Sequence, residues 1–529
     1  MERSADGYWR HYLDFVDAMG ELRVCGIPLA LVGNFSAYAG SGPDDGPPAG
    51  ASSNGGRTDM PLVRLQPAFD ARIRKWLVPA PPGPKGRHAV LCTSLLRFPE
   101  SVYYEYFRRE KAEIVADFAG SGGGTRYGLD IRNLRAYGGD WTQQAKAARA
   151  EAEKLFRRSA GHPAAENGAF RERFLADIPD MVRLIVQTEA YMEQHPPGCV
   201  LLGTTELMIT RVLALAARRR GIPVICLQHG IIAVEASYMP VFADIQGVYG
   251  PADAAWYAER GLSRRRLAVT GHPRFDPLFT GTPPAAVTVA VRIGVPPGRR
   301  LVLVVTQPHL PAERIGRLVR RLAQRRDVHV LLKPHPLEER SGKASEYDQM
   351  AGDLPNVTVL PRRLALHDVL PHAEAVIAES STVGLEALMI GRPLVVLKGP
   401  HSELFERWGF VAREPERAAE RTLAVLDGAR PDAAAEHALK QLYPLRLSAP
   451  AVAALIRRTS GIDCRPRVGW LRDGMLLKGD GPAVYLIQGG MRRRVAGPKQ
   501  LMALMKKYGG PVRTVNADVL RRIPQGEPL

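Results

Sequence analysis

Cysteine is scarce in this chain, with five residues among 529. Cys25, Cys92, Cys199, Cys226 and Cys464 are scattered and lack the short spacings of structural zinc sites. The sequence therefore argues against a disulfide framework and against a zinc module. Cys92 and Cys226 lie inside apolar runs, where a thiol is usually a small core residue. We expect reduced thiols in a cytoplasmic protein.

Long apolar runs and nucleotide-binding glycine loops are also missing. No stretch reaches the roughly 18 apolar residues of a membrane span, and residues 1–6 lack the basic-then-apolar pattern of a signal peptide. There is no Walker loop, no Gly-x-Gly-x-x-Gly after a predicted strand, and no metal-ligand constellation. Helix ends, lysine and histidine must then neutralise any bound phosphate, so we expect neither a metal nor a cofactor.

Acidic residues are outnumbered, with 54 Asp and Glu against 72 Lys and Arg and a net charge of +18. Residues 465–529 hold half of that excess, with 13 Lys or Arg and 4 Asp or Glu. A basic balance favours anionic partners such as nucleotides, acidic glycans and phospholipid headgroups. No basic stretch is interleaved with aromatic residues, so nucleic acid is not an expected partner. We expect residues 465–529 to contact either anionic lipid at the inner membrane face or an anionic glycan.

Short apolar runs alternate with amphipathic segments, which predicts βα units and parallel, doubly wound sheets in an α/β protein. Within this pattern a helix is predicted over 102–117. Proline should split 433–458 into two helical pieces, one of which could cross back to the first domain. Four regions are expected: an N-terminal extension over 1–87 with a disordered linker near 40–60, a Rossmann-like acceptor domain over 88–282, a Rossmann-like nucleotide-donor domain over 283–462, and a small basic β-rich module over 465–529.

Polar residues end several predicted strands, where open α/β sheets bind ligands. Ser380, Ser381 and Thr382 end one buried strand and start a helix, whose free N–H groups and positive dipole end favour a phosphate. A lone hydroxyl there is often only a helix N-cap, but three in a row favour a ligand site. Glu386, one turn further, is expected to bind the ribose hydroxyls; its alternative is a solvated helix carboxylate.

Two further strand ends extend this predicted donor site. Thr306 and Gln307 follow one strand, and Lys333 and His335 follow another. The prolines on both sides of His335 restrict the backbone, so its imidazole projects at a set angle. Lys333 would bring positive charge to the phosphate. The alternatives are a surface lysine and a hydrogen-bonded loop histidine.

The acceptor side has fewer candidates. His229 ends the most apolar strand of the first domain, and a neutral histidine suits a general base that deprotonates an acceptor hydroxyl. Its alternative is a core or capping histidine. Glu235 follows on the next loop, where it could shape the acceptor site or act as a rival base.

These segments together resemble the two-Rossmann GT-B glycosyltransferase superfamily, most of all its capsule polysaccharide and CDP-glycerol glycerophosphotransferase-like enzymes. The likeness spans roughly residues 88–460, and its motifs identify the superfamily better than the substrate. They are Gln228-His229-Gly230, the run from Val269 to Asp276, Val305-Thr306-Gln307, Lys333-Pro334-His335-Pro336, the run from Ser380 to Ala387, and Gly391-Arg392-Pro393.

The resemblance implies two Rossmann-like domains with a cleft between them, the donor nucleotide on the C-terminal domain and the acceptor on the N-terminal one. The resemblance also implies that His229 is the general base. The His-Pro and Ser-Ser motifs are also similar to those of bacterial sialyl- and Kdo-transferases, whose base is usually a carboxylate, here Glu235 or Glu206. Both likenesses favour a cytidine nucleotide.

The function expected is a metal-independent glycosyl- or glycerophosphotransferase that builds a bacterial surface polysaccharide. Its partners would be a nucleotide-activated sugar or polyol donor and a polysaccharide or lipid-linked acceptor. Two alternatives stay open. One is an enzyme like UDP-N-acetylhexosamine 2-epimerases, which share the fold and a similar serine/glutamate stretch. The other is a non-catalytic polysaccharide-binding subunit.

Overall fold

The chain forms two units, which are described separately. The computed structural model describes residues 5–39, 60–81, 83–119, 123–159, 162–280, 283–296, 298–361, 364–399, 402, 405, 411–429, 434–466, 471–479, 481–489, 491–515, 520–521, 523 and 525–529. Apart from its last residue, the linker predicted near 40–60 lies outside these ranges. Unit 1 comprises Met1–His229, Val234–Arg274 and Ser448–Arg467, and unit 2 comprises Gly230–Ala233, Phe275–Leu447 and Val468–Leu529.

Strands and helices alternate through both units. The strands are β1 (Arg23–Val24), β2 (Ile27–Pro28), β3 (Ala89–Cys92), β4 (Ala112–Ala116), β5 (Gly124–Arg126), β6 (Leu129–Asn133), β7 (Cys199–Leu202), β8 (Val224–Leu227), β9 (Ile245–Val248), β10 (Leu267–Val269), β11 (Arg300–Val305), β12 (Val328–Lys333), β13 (Val357–Val359), β14 (Ala375–Ala378), β15 (Leu394–Leu397), β16 (Val411–Ala412), β17 (Leu476–Lys478), β18 (Val484–Gln488), β19 (Met491–Arg494) and β20 (Val512–Thr514). The helices are α1 (Ala5–Ala18), α2 (Leu29–Val32), α3 (Phe35–Tyr38), α4 (Leu65–Trp76), α5 (Glu100–Tyr106), α6 (Thr142–Arg158), α7 (Pro163–Glu166), α8 (Gly168–Gln194), α9 (Met208–Arg219), α10 (Pro251–Glu259), α11 (Asp276–Thr280), α12 (Ala286–Ile293), α13 (Ala312–Ala323), α14 (Pro336–Ser341), α15 (Ala344–Asp353), α16 (Leu366–Val369), α17 (Thr382–Met389), α18 (Pro415–Leu426), α19 (Ala434–Leu442), α20 (Ala449–Ser460) and α21 (Pro498–Tyr508).

Unit 1 is built on an eight-stranded sheet in the order β10-β9-β8-β7-β3-β4-β6-β5. Its strands pair in parallel except β5, which pairs antiparallel with β6 at one edge. Strands β3, β7 and β8 are four-residue apolar runs buried along their whole length, as expected for parallel strands covered on both faces. The strand order changes direction between β3 and β7, which makes this unit doubly wound.

The helix predicted over 102–117 is wrong in its second half. Helix α5 ends at Tyr106, and the apolar run that follows forms strand β4. Glu113 explains the error, because a charged residue inside a buried strand looks like the polar face of a helix. Its buried carboxylate accepts hydrogen bonds from Tyr191 and Arg132, which offset the cost of burying the charge.

The described part of residues 1–87 belongs to unit 1 and contributes to its core. Phe15 of α1 meets Phe170 and Phe174 of α8 edge-on, with ring centroids 5.1 and 5.2 Å apart. Helix α20 returns from the end of the second Rossmann-like region and packs Val452 and Ile456 into the cluster beneath the unit 1 sheet. Both segments bury aromatic or aliphatic side chains, which is the main favourable contribution to folding.

Unit 2 contains a six-stranded, all-parallel sheet in the order β13-β12-β11-β14-β15-β16. Numbered from β11, this is the order 3-2-1-4-5-6 of dinucleotide-binding Rossmann folds. The predicted α/β class with two Rossmann-like domains is therefore confirmed.

The end of the chain forms a small sheet of its own, in the order β19-β18-β17-β20. Strands β18 and β19 form an antiparallel hairpin, and β20 pairs in parallel with β17. Leu476, Leu486 and Val495 form its core, on which Leu501 and Leu504 of α21 pack. Across both units, none of the described helices is long and apolar enough to cross a membrane.

Candidate functional site

The loops after β11 and β14 lie side by side in unit 2, because these two strands are neighbours in the sheet. The strand order diverges in opposite directions from this pair, and doubly wound sheets bind ligands at such a switch point. Thr306 and Gln307 begin the first loop, and Ser380 and Ser381 lie on the second. Lys333 ends β12, the other neighbour of β11. The sheet therefore brings three of the predicted strand ends to one edge.

A buried carboxylate connects the two switch-point loops. Glu379 is fully buried, and its Oε2 lies 2.9 Å from Nε2 of His309 on the loop after β11. The hydroxyl of Ser380 donates to the same oxygen. Gly399 leaves room for this group, since a Cβ there would lie 2.4 Å from Glu379 Oε1. The roles of His309 and Glu379 were not predicted from the sequence. The signal for Glu379 is a charged residue between a buried strand and three hydroxyls.

Ser381 is the N-cap of helix α17. Its Oγ accepts a hydrogen bond from the backbone N–H of Val383 at 3.2 Å, and Thr382 is the first helical residue. The capping role that the sequence left open is therefore real. Capping uses a lone pair of the hydroxyl and leaves its hydrogen available, so the role is compatible with donation to an anion.

His335 is also an N-cap, at the start of the short helix α14. Its Nδ1 accepts a hydrogen bond from the N–H of Leu337 at 3.2 Å, so the neutral imidazole carries its proton on Nε2. Lys333 is half-buried, and this burial lowers the pKa of its ammonium, while Glu339 and Glu386 oppose the shift. Both residues can donate to an anion at this edge of the sheet.

Thr306 and Gln307 are more deeply placed than the sequence indicated. Thr306 is fully buried, and its hydroxyl donates to Oε2 of Glu338. Glu338 also accepts from the hydroxyl of Tyr347 and from the backbone N–H of His335, each at 2.8 Å. Thr306 thereby helps to hold the loop that carries His335, and Gln307 is nearly buried beside it.

Glu386 is not a solvated helix carboxylate. It is buried, and its Oε2 lies 2.8 Å from Nε2 of His367 on α16. Gly384, on the same helix as Glu386, lies against Leu394 and Phe405, each 3.4 Å from the position that a Cβ would occupy.

His229 follows β8 in unit 1 and stacks on Tyr238, with ring centroids 4.9 Å apart and planes 6° from parallel. Its carbonyl accepts a hydrogen bond from Arg274 at 3.1 Å. Burial lowers the pKa of His229 to about 4, with a smaller contribution from the charges of Arg97 and Arg274. The ring is neutral at pH 7, but a low pKa makes it a weak proton acceptor.

The two carboxylates considered as bases differ in their surroundings. Glu235 accepts hydrogen bonds from Trp9 at 2.5 Å and from Arg260 at 2.6 Å, so donors occupy both of its oxygens. Glu206 follows β7, and its carboxyl group accepts a hydrogen bond from Ser237 at 3.1 Å. Burial raises the pKa of Glu206. Glu206 is therefore better placed than Glu235 to take a proton.

Asp253 lies beneath the strand end that carries His229 and was missed by the sequence analysis. It is buried near the start of α10, where a carboxylate would ordinarily be read as a helix N-terminal charge. Burial raises the pKa of Asp253 to about 7, although hydrogen bonds from Gln228 and from the N–H groups of Gly250 and Tyr249 oppose the shift.

At the switch point of unit 1, the loops that follow β3 and β7 approach each other closely. A Cβ on Gly203, after β7, would lie 2.3 Å from the backbone nitrogen of Leu96, after β3. Leu95 and Arg97 on the same loop adopt positive φ angles of 57° and 47°. Such conformations are costly for residues with side chains, and they occur often at ligand sites.

Within the described ranges, no group of three or more His, Cys, Asp or Glu side chains is arranged so that it could hold a metal ion.

Part of unit 2 is similar to a known protein family. Residues 312–432 match the family model described as capsule polysaccharide biosynthesis protein, which confirms the predicted resemblance over that part of the chain. No match is found among curated proteins.

Several solved structures are similar to this chain at low identity. A UDP-N-acetylglucosamine 2-epimerase from Neisseria meningitidis, bound to UDP-GlcNAc, is 13% identical over 70% of this chain and 98% of its own, with a TM-score of 0.44. A glycotransferase of kitacinnamycin is 18% identical over 71% and 100% of the two chains, also with a TM-score of 0.44. Likenesses at this level transfer no activity to the present chain.

Proposed function

We propose that this protein is a transferase that moves a glycosyl or glycerophosphoryl group from a nucleotide-activated donor to a surface polysaccharide or its lipid-linked precursor. The observation that carries the proposal is the polar edge at the switch point of unit 2. This edge belongs to the sheet with the Rossmann strand order. Most of its candidate residues fall within 312–432, the part of the chain that matches the capsule polysaccharide family model. A cytidine nucleotide is the favoured donor.

The donor phosphate is proposed to bind where several donors meet the first turn of α17. Ser381 offers its hydroxyl hydrogen, His335 its Nε2–H and Lys333 its ammonium, and the helix N-terminus adds a positive dipole end. Preorganised donors of this kind stabilise the charge that develops on a leaving phosphate. Glu386, held by His367, is proposed to bind the ribose.

The acceptor hydroxyl must lose its proton as it attacks the donor. We favour Glu206 for this step, because among the described residues its carboxyl group accepts a hydrogen bond from Ser237 alone and its pKa is raised, whereas His229 has a pKa of about 4. A base with a pKa nearer the working pH is the more effective proton acceptor. Glu235 is the least suited, since Trp9 and Arg260 already engage it.

Thermal unfolding with CMP, CDP, UDP or GDP, without added metal, tests the donor site. A ligand at about 100 times its dissociation constant adds roughly 2.7 kcal/mol of stability, enough to shift the melting temperature. The matched variants are Ser381→Asn and Ser381→Asp, because both residues are good N-caps and only the second adds a negative charge beside the phosphate. The shift should be lost in Ser381→Asp.

Each outcome separates the candidate functions. A response to CMP or CDP alone supports the cytidine-dependent transferase. A response to UDP alone favours UDP-sugar transfer or epimerisation, which incubation with a UDP-N-acetylhexosamine and no acceptor then distinguishes by its product. Absence of any response, in wild type and Ser381→Asp alike, favours a non-catalytic polysaccharide-binding subunit. The proposed transferase would work at the inner membrane face. Its basic module, residues 465–529, is proposed to contact anionic lipid there.

A further inference from the structure

Helix α21 in the C-terminal module is apolar on two sides. Leu501 and Leu504 point inward and pack on the core of the small sheet. Met502 and Met505 point outward, and their exposed fractions are 68% and 39%. Burying one face is sufficient to hold the helix in place, so the outward methionines need another explanation. Exposed methionine is flexible and polarisable, and it is common on surfaces that bind apolar partners.

Lysines surround the outward methionines. Lys499 precedes Met502 by three residues and Lys506 follows it by four, so both lie next to it on the helix surface. Both lysines are exposed, as is Lys507. The helix contains no acidic residue, and the module from residue 465 onward carries half of the chain's net charge of +18. The surface therefore combines apolar side chains with positive charge.

Tyr508 extends this surface at the end of the helix. Its ring lies over Gly474, where a Cβ would be 2.5 Å from the ring, and it is 38% exposed. The ammonium of Lys507 lies 5.2 Å from the ring centroid. A tyrosine held in this way has an apolar body and a polar tip, the combination that is enriched where lipid meets water.

We propose that the face of α21 formed by Lys499, Met502, Met505 and Lys506 docks on an anionic lipid bilayer. Methionines enter the boundary between headgroups and acyl chains, while the lysine stems lie along it and their ammonium groups reach the phosphates. An acidic glycan would satisfy the lysines but has no acyl chains between which the methionines could insert. This inference rests on the proposed function for its membrane setting and identifies the surface that makes the contact.

Co-sedimentation of the full chain with vesicles tests the docking face. Vesicles of phosphatidylcholine alone are compared with vesicles that also contain phosphatidylglycerol. Met502→Asp should reduce binding to the anionic vesicles by about tenfold or more, because it removes an apolar contact and adds a negative charge. The matched control is Val291→Asp on α12, a side chain that is 76% exposed on the same unit and outside this face. It should bind as wild type does.

A second pair of variants tests the charge. Replacing Lys499 and Lys506 by alanine should weaken binding about 30-fold, because each basic residue at an anionic surface contributes about 1 kcal/mol. Lys146→Ala, at an exposed position on α6, should have no such effect. If Met502→Asp binds as wild type while the lysine variant does not, the contact is electrostatic only and the apolar docking is wrong.

Position-specific fluorescence provides a third measurement. In Met502→Trp, emission of the new indole should shift to shorter wavelength when anionic vesicles are added, whereas Val291→Trp should show no shift. No shift at either position, or tighter binding to heparin than to vesicles, would overturn the lipid proposal. Nucleotide-dependent melting of Met502→Asp should equal that of wild type. Vesicle binding without any nucleotide response would leave the docking face standing and refute the transferase.

Discussion

His309 and Glu379 link the two loops of the unit 2 switch point. His309 Nε2 lies 2.9 Å from Glu379 Oε2, and the carboxyl group is fully buried. The same oxygen accepts the hydroxyl hydrogen of Ser380. A buried charge requires such partners, and here they come from loops that follow different strands. We infer that this pair sets the spacing of the loops on which the proposed phosphate site depends.

Replacing His309 by alanine should destabilise the protein by about 1–3 kcal/mol, because the Glu379 carboxylate stays buried and loses a hydrogen-bond partner. Glu379→Gln should lower the free energy of unfolding by less in the His309→Ala protein than in wild type, since a neutral amide is less costly to leave unpaired than a carboxylate. Urea unfolding of the four proteins in this double-mutant cycle measures the coupling, which should be about 1 kcal/mol or more. Strictly additive effects would show that the two side chains act independently.

Much of the fold was predictable from local pattern. Apolar runs such as those of β3, β7 and β8 are long enough and uniform enough to identify buried parallel strands. The prediction failed where a polar residue interrupts such a run. Glu113 in β4 is buried, and it is paired by hydrogen bonds from Tyr191 and Arg132 that the sequence does not reveal.

The positions of the candidate site residues were easier to predict than their contacts. Strand ends can be located in the sequence, and parallel pairing brings them to one edge. Contacts depend on residues far away in the chain: Trp9, which engages Glu235, is 226 residues distant. Likewise, the carboxylate that binds the Thr306 hydroxyl lies 32 residues away, so no local pattern could show that this hydroxyl is already used.

His335→Asn should separate the capping role of this residue from phosphate binding. Asparagine is a good N-cap, so the stability of α14 should change by less than about 0.5 kcal/mol. The imidazole Nε2–H is lost, and a hydrogen bond to a charged group contributes about 1.5–3 kcal/mol. Nucleotide affinity, measured by calorimetry, should therefore fall by about tenfold or more. Unchanged affinity would leave His335 with a capping role alone.

Glu206→Gln should abolish donor turnover and leave nucleotide affinity unchanged. Glutamine keeps the size of the side chain but cannot accept the acceptor's proton. In wild type, turnover should rise with pH as the carboxyl group ionises and level off above its raised pKa. Release of nucleotide from the donor, followed across pH, provides the measurement. Glu172→Gln, at an exposed position on α8, is the matched control. Full activity of Glu206→Gln would return the role of base to His229.

Gly203→Ala should destabilise unit 1, because its Cβ would lie 2.3 Å from the backbone of Leu96 and backbone cannot move aside as a side chain can. Overpacking of this kind typically costs about 1–3 kcal/mol. Gly139→Ala is the control, since nothing lies within 4 Å of its Cβ position. The urea midpoints of the two variants provide the comparison. Equal midpoints would show that the two loops can separate without cost.

Asp253 should make unit 1 less stable as the pH rises from about 4 to about 7. The unfolded carboxyl group ionises near pH 4, whereas burial raises the pKa of the folded group to about 7. The folded state therefore binds more protons in this window, and stability should fall by up to about 1.4 kcal/mol per pH unit. His229 acts in the opposite direction between about pH 4 and 6.5, because its lowered pKa means that the unfolded state binds more protons there.

The difference between wild type and Asp253→Asn isolates the contribution of this carboxyl group. An amide does not titrate, so the variant should gain stability relative to wild type as the pH rises, and the gain should level off above about pH 7. Urea unfolding at half-unit steps from pH 5 to pH 8 measures it. A difference that is constant over this range would mean that Asp253 is already ionised in the folded protein at pH 5, and that the hydrogen bond from Gln228 and the start of α10 stabilise its charge more than burial opposes it.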